Sequence, residues 1–64
     1  MQPYQQRVVD ELADLEVKLK ALHNFLWAND SFDSLPIEDK ELLVIQFGAM
    51  STYAGALSKR IERF

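Results

Sequence analysis

No cysteine occurs anywhere in the 64-residue chain. Disulfide frameworks, thiolate nucleophiles and cysteine-based zinc sites are therefore excluded, and a reducing compartment is the expected setting. A single histidine, His23, cannot by itself build a metal site. Glycine and proline are scarce, at two each, and no Gly-rich phosphate loop, Gly-x-Ser-x-Gly or His-Glu-x-x-His motif is present. Bases are outnumbered, seven against ten acids for a net charge of -3. Such a chain lacks the broad basic surface that holds extended nucleic acid through its phosphates. Apolar runs are too short to span a membrane. The opening Met-Gln-Pro-Tyr-Gln-Gln-Arg has neither the basic start nor the apolar stretch of a signal peptide, so the cytoplasm is the expected location.

Helical periodicity dominates what remains. Val8, Leu12, Leu15, Leu19, Leu22 and Leu26 recur at spacings of four and three, which is a helical seam. Pro3 stands near the start, where its fixed φ and missing N–H cost least. A first helix is expected over about residues 4–28. Asn29, Asp30, Ser31, Asp33 and Ser34 then compete for backbone hydrogen bonds, and Leu35-Pro36 disfavours helix, giving a turn over about 29–35. The second helix, expected over about 36–63, carries Glu38, Asp39 and Glu41 at its start and Lys59, Arg60 and Arg63 at its end, as the helix dipole prefers. Its seam reads Leu43, Gln46, Met50, Tyr53, Leu57, Arg60 or Ile61, and Phe64. Phe25, Trp27, Phe32 and Leu35 are placed to pack around the closed end.

The fold expected is all-α: one domain over residues 1–64, an antiparallel two-helix hairpin assembling into an oligomeric helical bundle. A hairpin has one contact layer and no enclosed core, and chains this short fold alone with difficulty, so self-association is the simplest remedy. Gly48 and Gly55 strengthen the case, since each should cost roughly 1 kcal/mol inside a helix relative to alanine. With Ser51 and Thr52 they fall opposite the seam, where another backbone or a flat ligand can approach closely. A solvated face of poor propensity accounts for the same residues.

Chemistry for catalysis is missing. His23 reads as a surface or half-packed residue on the flank of the first helix. Asp10 with Asp14 and Glu38 with Glu41 read as solvated carboxylates, and Glu16 with Lys20 as an ordinary i,i+4 pair. No enzyme activity, cofactor or metal is expected.

A polar ladder is more informative. Tyr4, Glu11, Lys18 and Phe25 repeat every seven residues on the first helix, with Arg7 alongside, and Gln46, Tyr53 and Arg60 repeat likewise on the second. If the hairpin closes near Phe32, residues whose numbers sum to about 64 lie opposite one another. Lys18 then approaches Gln46, Glu11 approaches Tyr53 and Tyr4 approaches Arg60. Aromatic faces stack nucleobases, Arg and Lys bind phosphates, and Gln or Glu read base edges, a kit suited to a small anionic nucleotide. The same Gln and Tyr also fit a register-setting hydrogen bond within a seam, with Arg60 capping the helix end.

Tyr4-x-x-Arg7-Val8-x-x-Glu11-Leu12, Phe32-x-x-Leu35-Pro36 and Leu43-x-x-Gln46-x-x-x-Met50-x-x-Tyr53-x-x-x-Leu57-x-x-Arg60-Ile61 together resemble small bacteriophage proteins of a crAss-phage-related family. The match covers nearly the whole chain. These proteins are similar in design to the helical-hairpin sponges of phages, of the anti-CBASS and anti-Thoeris type. The resemblance implies a non-enzymatic immune-evasion protein in the host cytoplasm. It would form homo-oligomers and sequester a small cyclic nucleotide-type signal, a cyclic oligonucleotide or cyclic ADP-ribose isomer, in pockets between subunits. It implies ligand-binding roles for Tyr4, Arg7, Lys18, Gln46, Tyr53 and Arg60. Leu12-Ala13-Asp14 and Phe47-Gly48-Ala49 depart from the charged stretches expected there, which bears on oligomer contacts and ligand preference. A different class, an oligomeric helical module that blocks or scaffolds a host or phage protein, would use Phe25, Trp27, Phe47 and Phe64 as anchors.

Overall fold

The computed structural model describes residues 1–64. Two 26-residue helices, α1 (Pro3–Ala28) and α2 (Ile37–Glu62), pack against each other as a hairpin. The molecule is a rod of 46 × 15 × 14 Å. At the start of α1, the Gln2 N–H donates to Gln5 Oε1 at 2.8 Å, occupying a donor that the helix leaves free. Pro3 opens the helix, and nothing interrupts it for seven turns.

The connection is short and hydrogen-bonded by its own side chains. Asn29 Oδ1 accepts from the Ser31 N–H at 2.8 Å and so starts a 3₁₀ turn over Asp30–Phe32. Ser34 Oγ donates to the Ser31 carbonyl at 2.9 Å. Leu35 is held out of the helix by the following proline, and α2 begins at Ile37 behind Pro36. Acids Glu38 and Asp39 occupy its first turn and bases Lys59 and Arg60 its last, matching the dipole at both ends.

All six seam positions of α1, from Val8 to Leu26, are buried or half-buried. The fully buried set is small: Val8, Leu15 and Leu57, with Leu12, Met50, Ala54 and Ile61 packed around it. On α2 the seam differs from the one read off the spacing. It runs Leu43, Phe47, Met50, Ala54, Leu57 and Ile61, while Gln46, Tyr53, Arg60 and Phe64 are exposed. Spacings of three and four permit either stripe, because both share Leu43, Met50 and Leu57. Burial selects between them. Facing α1 with Gln46 would strand an amide, and a Tyr53 ring would hold the helices apart where Ala54 lets them close.

The register also shifts. Tyr4 meets Phe64 with ring centroids 6.0 Å apart, and His23 meets Phe47 at 6.0 Å, so facing numbers sum to 68 and 70 rather than about 64. The fold reaches this register because Phe32 and Leu35 are half-buried beneath the closed end, which uses chain before α2 can start. Phe25 and Phe32 pair there at 6.1 Å, with Lys40 Nζ 5.8 Å from the Phe32 centroid. Trp27 does not join them. It lies on the far side of α1 from Phe25, at 5.2 Å from Phe47. Ser51, expected opposite the seam, is half-buried at its edge.

Candidate functional site

The larger of the two grooves between the helices holds three of the six residues singled out above. Arg7, Asp10, Glu11, Asp14, Leu15 and Lys18 from α1, with Tyr53 from α2, line an open groove of about 470 Å³. Arg7, Asp14 and Lys18 are spaced seven and four apart, so helical geometry stacks them along one flank of α1. Leu15 forms the apolar floor from its place in the core. Tyr53 is half-exposed, at 45%, and closes the groove from the other helix.

Tyr53 is held at this rim because Ala54 takes the buried position beside it. The cations are free. The chain contains one ion pair, Lys59 with Glu62 at 3.4 Å, so Arg7, Lys18 and Arg60 are all unpaired. Two cations nevertheless share the groove with three carboxylates. An anion seated on Arg7 and Lys18 also meets the field of Asp10, Glu11 and Asp14, and further positive charge is needed to favour it.

The remaining three ladder residues lie outside the groove. Gln46 and Arg60 sit one heptad before and after Tyr53 on the same flank of α2, both exposed. The Gln46 amide donates to the sulfur of Met50 at 3.7 Å, so it makes no register-setting bond to α1. Tyr4 is occupied at the open end of the hairpin by Phe64 rather than by Arg60.

A second groove, about 350 Å³, runs along the opposite flank and is lined by Glu16, Leu19, Lys20, His23 and Phe47. His23 stacks on Trp27 with ring centroids 4.7 Å apart, and Phe47 completes an aromatic shelf. The spacing makes His23 a surface or half-packed residue, which its exposure bears out, and sets Trp27 at the closed end. The available signal was the i,i+4 relation of His23 and Trp27, which places both rings on one face of a helix.

These features define a small protein built as a helical hairpin, with grooves along both flanks. More particularly, the chain belongs to the Sequestin family, whose sequence model matches residues 2–63. An uncharacterized 7.5 kDa protein from the denB-rIIB intergenic region of Enterobacteria phage T4 is 41% identical over 64 residues, covering 100% of this chain and 98% of that protein. No solved structure matches. The family name denotes sequestering, the relative is a phage protein, and no enzyme family is indicated. No helix is long and apolar enough to cross a membrane.

Proposed function

We propose that this protein is a non-enzymatic immune-evasion sponge that sequesters a small cyclic nucleotide-type signal, a cyclic oligonucleotide or cyclic ADP-ribose isomer, in pockets between copies of the chain. The observation that carries this reading is the one open groove that the Tyr53 ring shares with unpaired Arg7 and Lys18. The ring offers a face for a base, the two cations bind phosphate, and the nearby carboxylates accept hydrogen bonds from base or ribose edges. Arg60 and Gln46 extend the same flank to either side of Tyr53, and Tyr4 stands at the open end. A second copy supplies the further cations that offset Asp10, Glu11 and Asp14. Sequestering requires affinity and abundance and no turnover, which agrees with the family name.

A thermal-shift screen against cyclic dinucleotides, cyclic trinucleotides and cyclic ADP-ribose isomers tests the proposal. Ligand at about 100 times its Kd stabilises the fold by about 2.7 kcal/mol, a large shift for so small a domain. A selective shift that is lost in Tyr53→Ala and Arg7→Ala, with helicity unchanged, is expected. An unchanged melting curve with every signal would overturn the reading.

The aromatic shelf favours a second reading. Trp27 is 64% exposed while stacked on His23, the geometry of an anchor for a protein partner. A helical interaction module of this kind binds a host or phage protein, and loses it in Trp27→Ala while Tyr53→Ala retains it.

A further inference from the structure

Residues 42–58 of α2 contain no charged side chain at all. So long a stretch without charge is ordinarily covered on more than one side, yet α1 covers only one face of this helix. The uncovered face carries Ile37, Val44 and Ile45, which are 61%, 55% and 65% exposed. Beyond them along the same side come Gly48, Thr52 and Gly55. A side chain built on either glycine would meet nothing within 4 Å, so the hairpin itself gives no reason for them. Thr52 turns its hydroxyl inward, donating to the Gly48 carbonyl at 3.0 Å, and leaves its methyl outward. The total surface points the same way. A compact monomer of this mass presents about 4,200 Å², whereas the hairpin presents 4860 Å².

Charge at the two ends of this face specifies what covers it. Glu41 lies before the uncharged stretch and Lys59 after it, about five turns apart and so on one line of the helix. We infer that the outer face of α2 docks against the same face of a second copy in antiparallel order, about a two-fold axis level with residue 50. In that register Glu41 faces Lys59 of the second copy, Ile45 fills the space left by Gly55, and Gly48 faces Thr52. Each pairing occurs twice, as a two-fold interface requires. A parallel arrangement instead sets Glu41 on Glu41 and Lys59 on Lys59, leaving like charges together and glycine opposite glycine. The antiparallel pair also opposes the two helix dipoles favourably. This inference rests on the self-association included in the proposed function and assigns it a surface. The Arg7–Lys18–Tyr53 groove lies on a different flank, so this pairing does not close it, and the cations that offset its carboxylates come from a copy outside the pair.

Mass measurement by light scattering, without ligand, tests the inference. The wild-type chain is expected at an even multiple of 7.4 kDa, and Ile45→Asp is expected to lower that mass at least twofold while circular dichroism shows an unchanged helix. Ile45 is exposed in the hairpin, so this substitution leaves the intrachain core intact. Register is read by cross-linking, which the absence of native cysteine makes unambiguous. Glu41→Cys mixed with Lys59→Cys should form the hetero-linked dimer, and Glu41→Cys alone should not link to itself, since its two copies lie about 27 Å apart along the axis. A monomeric wild type, an Ile45→Asp assembly of unchanged mass, or self-linking by Glu41→Cys would each overturn the inference. The outcomes separate from those of the sequestering reading. A monomer that binds a cyclic nucleotide defeats the pairing and the pocket between copies but keeps the sequestering, and a dimer that binds none defeats the sequestering alone.

Discussion

Leu57 is the one side chain fully enclosed by the fold, at 1% exposure, and it touches both Val8 and Leu15 within a three-residue core. A core so small cannot collapse around a missing side chain. Leu57→Ala should therefore cost about 2–5 kcal/mol, enough to abolish cooperative unfolding in a urea titration of the hairpin. Residues on the groove behave differently, since Tyr53 is half-exposed and its packing contributes little. Tyr53→Ala should weaken nucleotide binding by about tenfold or more, as loss of base stacking does, with little change in melting temperature of the unliganded protein. Tyr53→Phe keeps the ring and should bind nearly as well, as isothermal titration would report. Arg60→Ala is expected to weaken binding too, with helicity and assembly retained. If both Tyr53→Ala and Arg60→Ala instead disperse the assembly in light scattering, the residues hold the interface rather than the ligand.

The elements end where side chains take over from the backbone ladder. Asn29 is the pivotal case, because its Oδ1 accepts the Ser31 N–H just as α1 stops. Asn29→Ala should cost about 1 kcal/mol, by the usual loss of such a cap, and should speed amide exchange at Ser31 in hydrogen-exchange measurements. Asn29→Asp keeps an acceptor at the same place and should restore protection. The two helices are unequal in a way that bears on function. Charges are spread along α1, including the Asp10, Asp14 and Lys18 flank, whereas α2 confines them to its ends around an uncharged middle. The first helix thus supplies polar groups to the grooves, and the second supplies apolar surface on both its sides.

For the whole molecule, a rod of 46 × 15 × 14 Å with three buried residues is a minimal fold. Under the proposed pairing, folding is coupled to assembly, since the apolar surface that a larger domain would enclose lies outside the hairpin. The melting temperature should accordingly rise with protein concentration over a hundredfold dilution series followed by circular dichroism. A concentration-independent transition would mean that the hairpin is stable by itself. In the Ile45→Asp variant that dependence should vanish along with the assembly.

The sequence by itself determined the two helices, their approximate limits and the turn between them. Those features rest on local physics: spacing of Val8 to Leu26, proline at the start of each helix, short polar side chains at 29–34, and charges matched to the dipole of α2. The pattern Leu43, Met50, Leu57 also marked the buried side of α2 to within one residue. Only the tertiary structure decided between Gln46 and Phe47, and between Tyr53 and Ala54, because adjacent positions on a helix satisfy the same spacing until a second helix faces them. Burying Phe47 and Ala54 then moved Gln46 and Tyr53 to the rim, and the register sum moved with them from about 64 to 68–70. Arg7, Lys18 and Tyr53 share a groove as a result, while Tyr4, which spacing had set beside Arg60, packs on Phe64. Periodicity reports the direction of one helix face, and the rotation and offset of two helices are set by how their side chains fill the space between them.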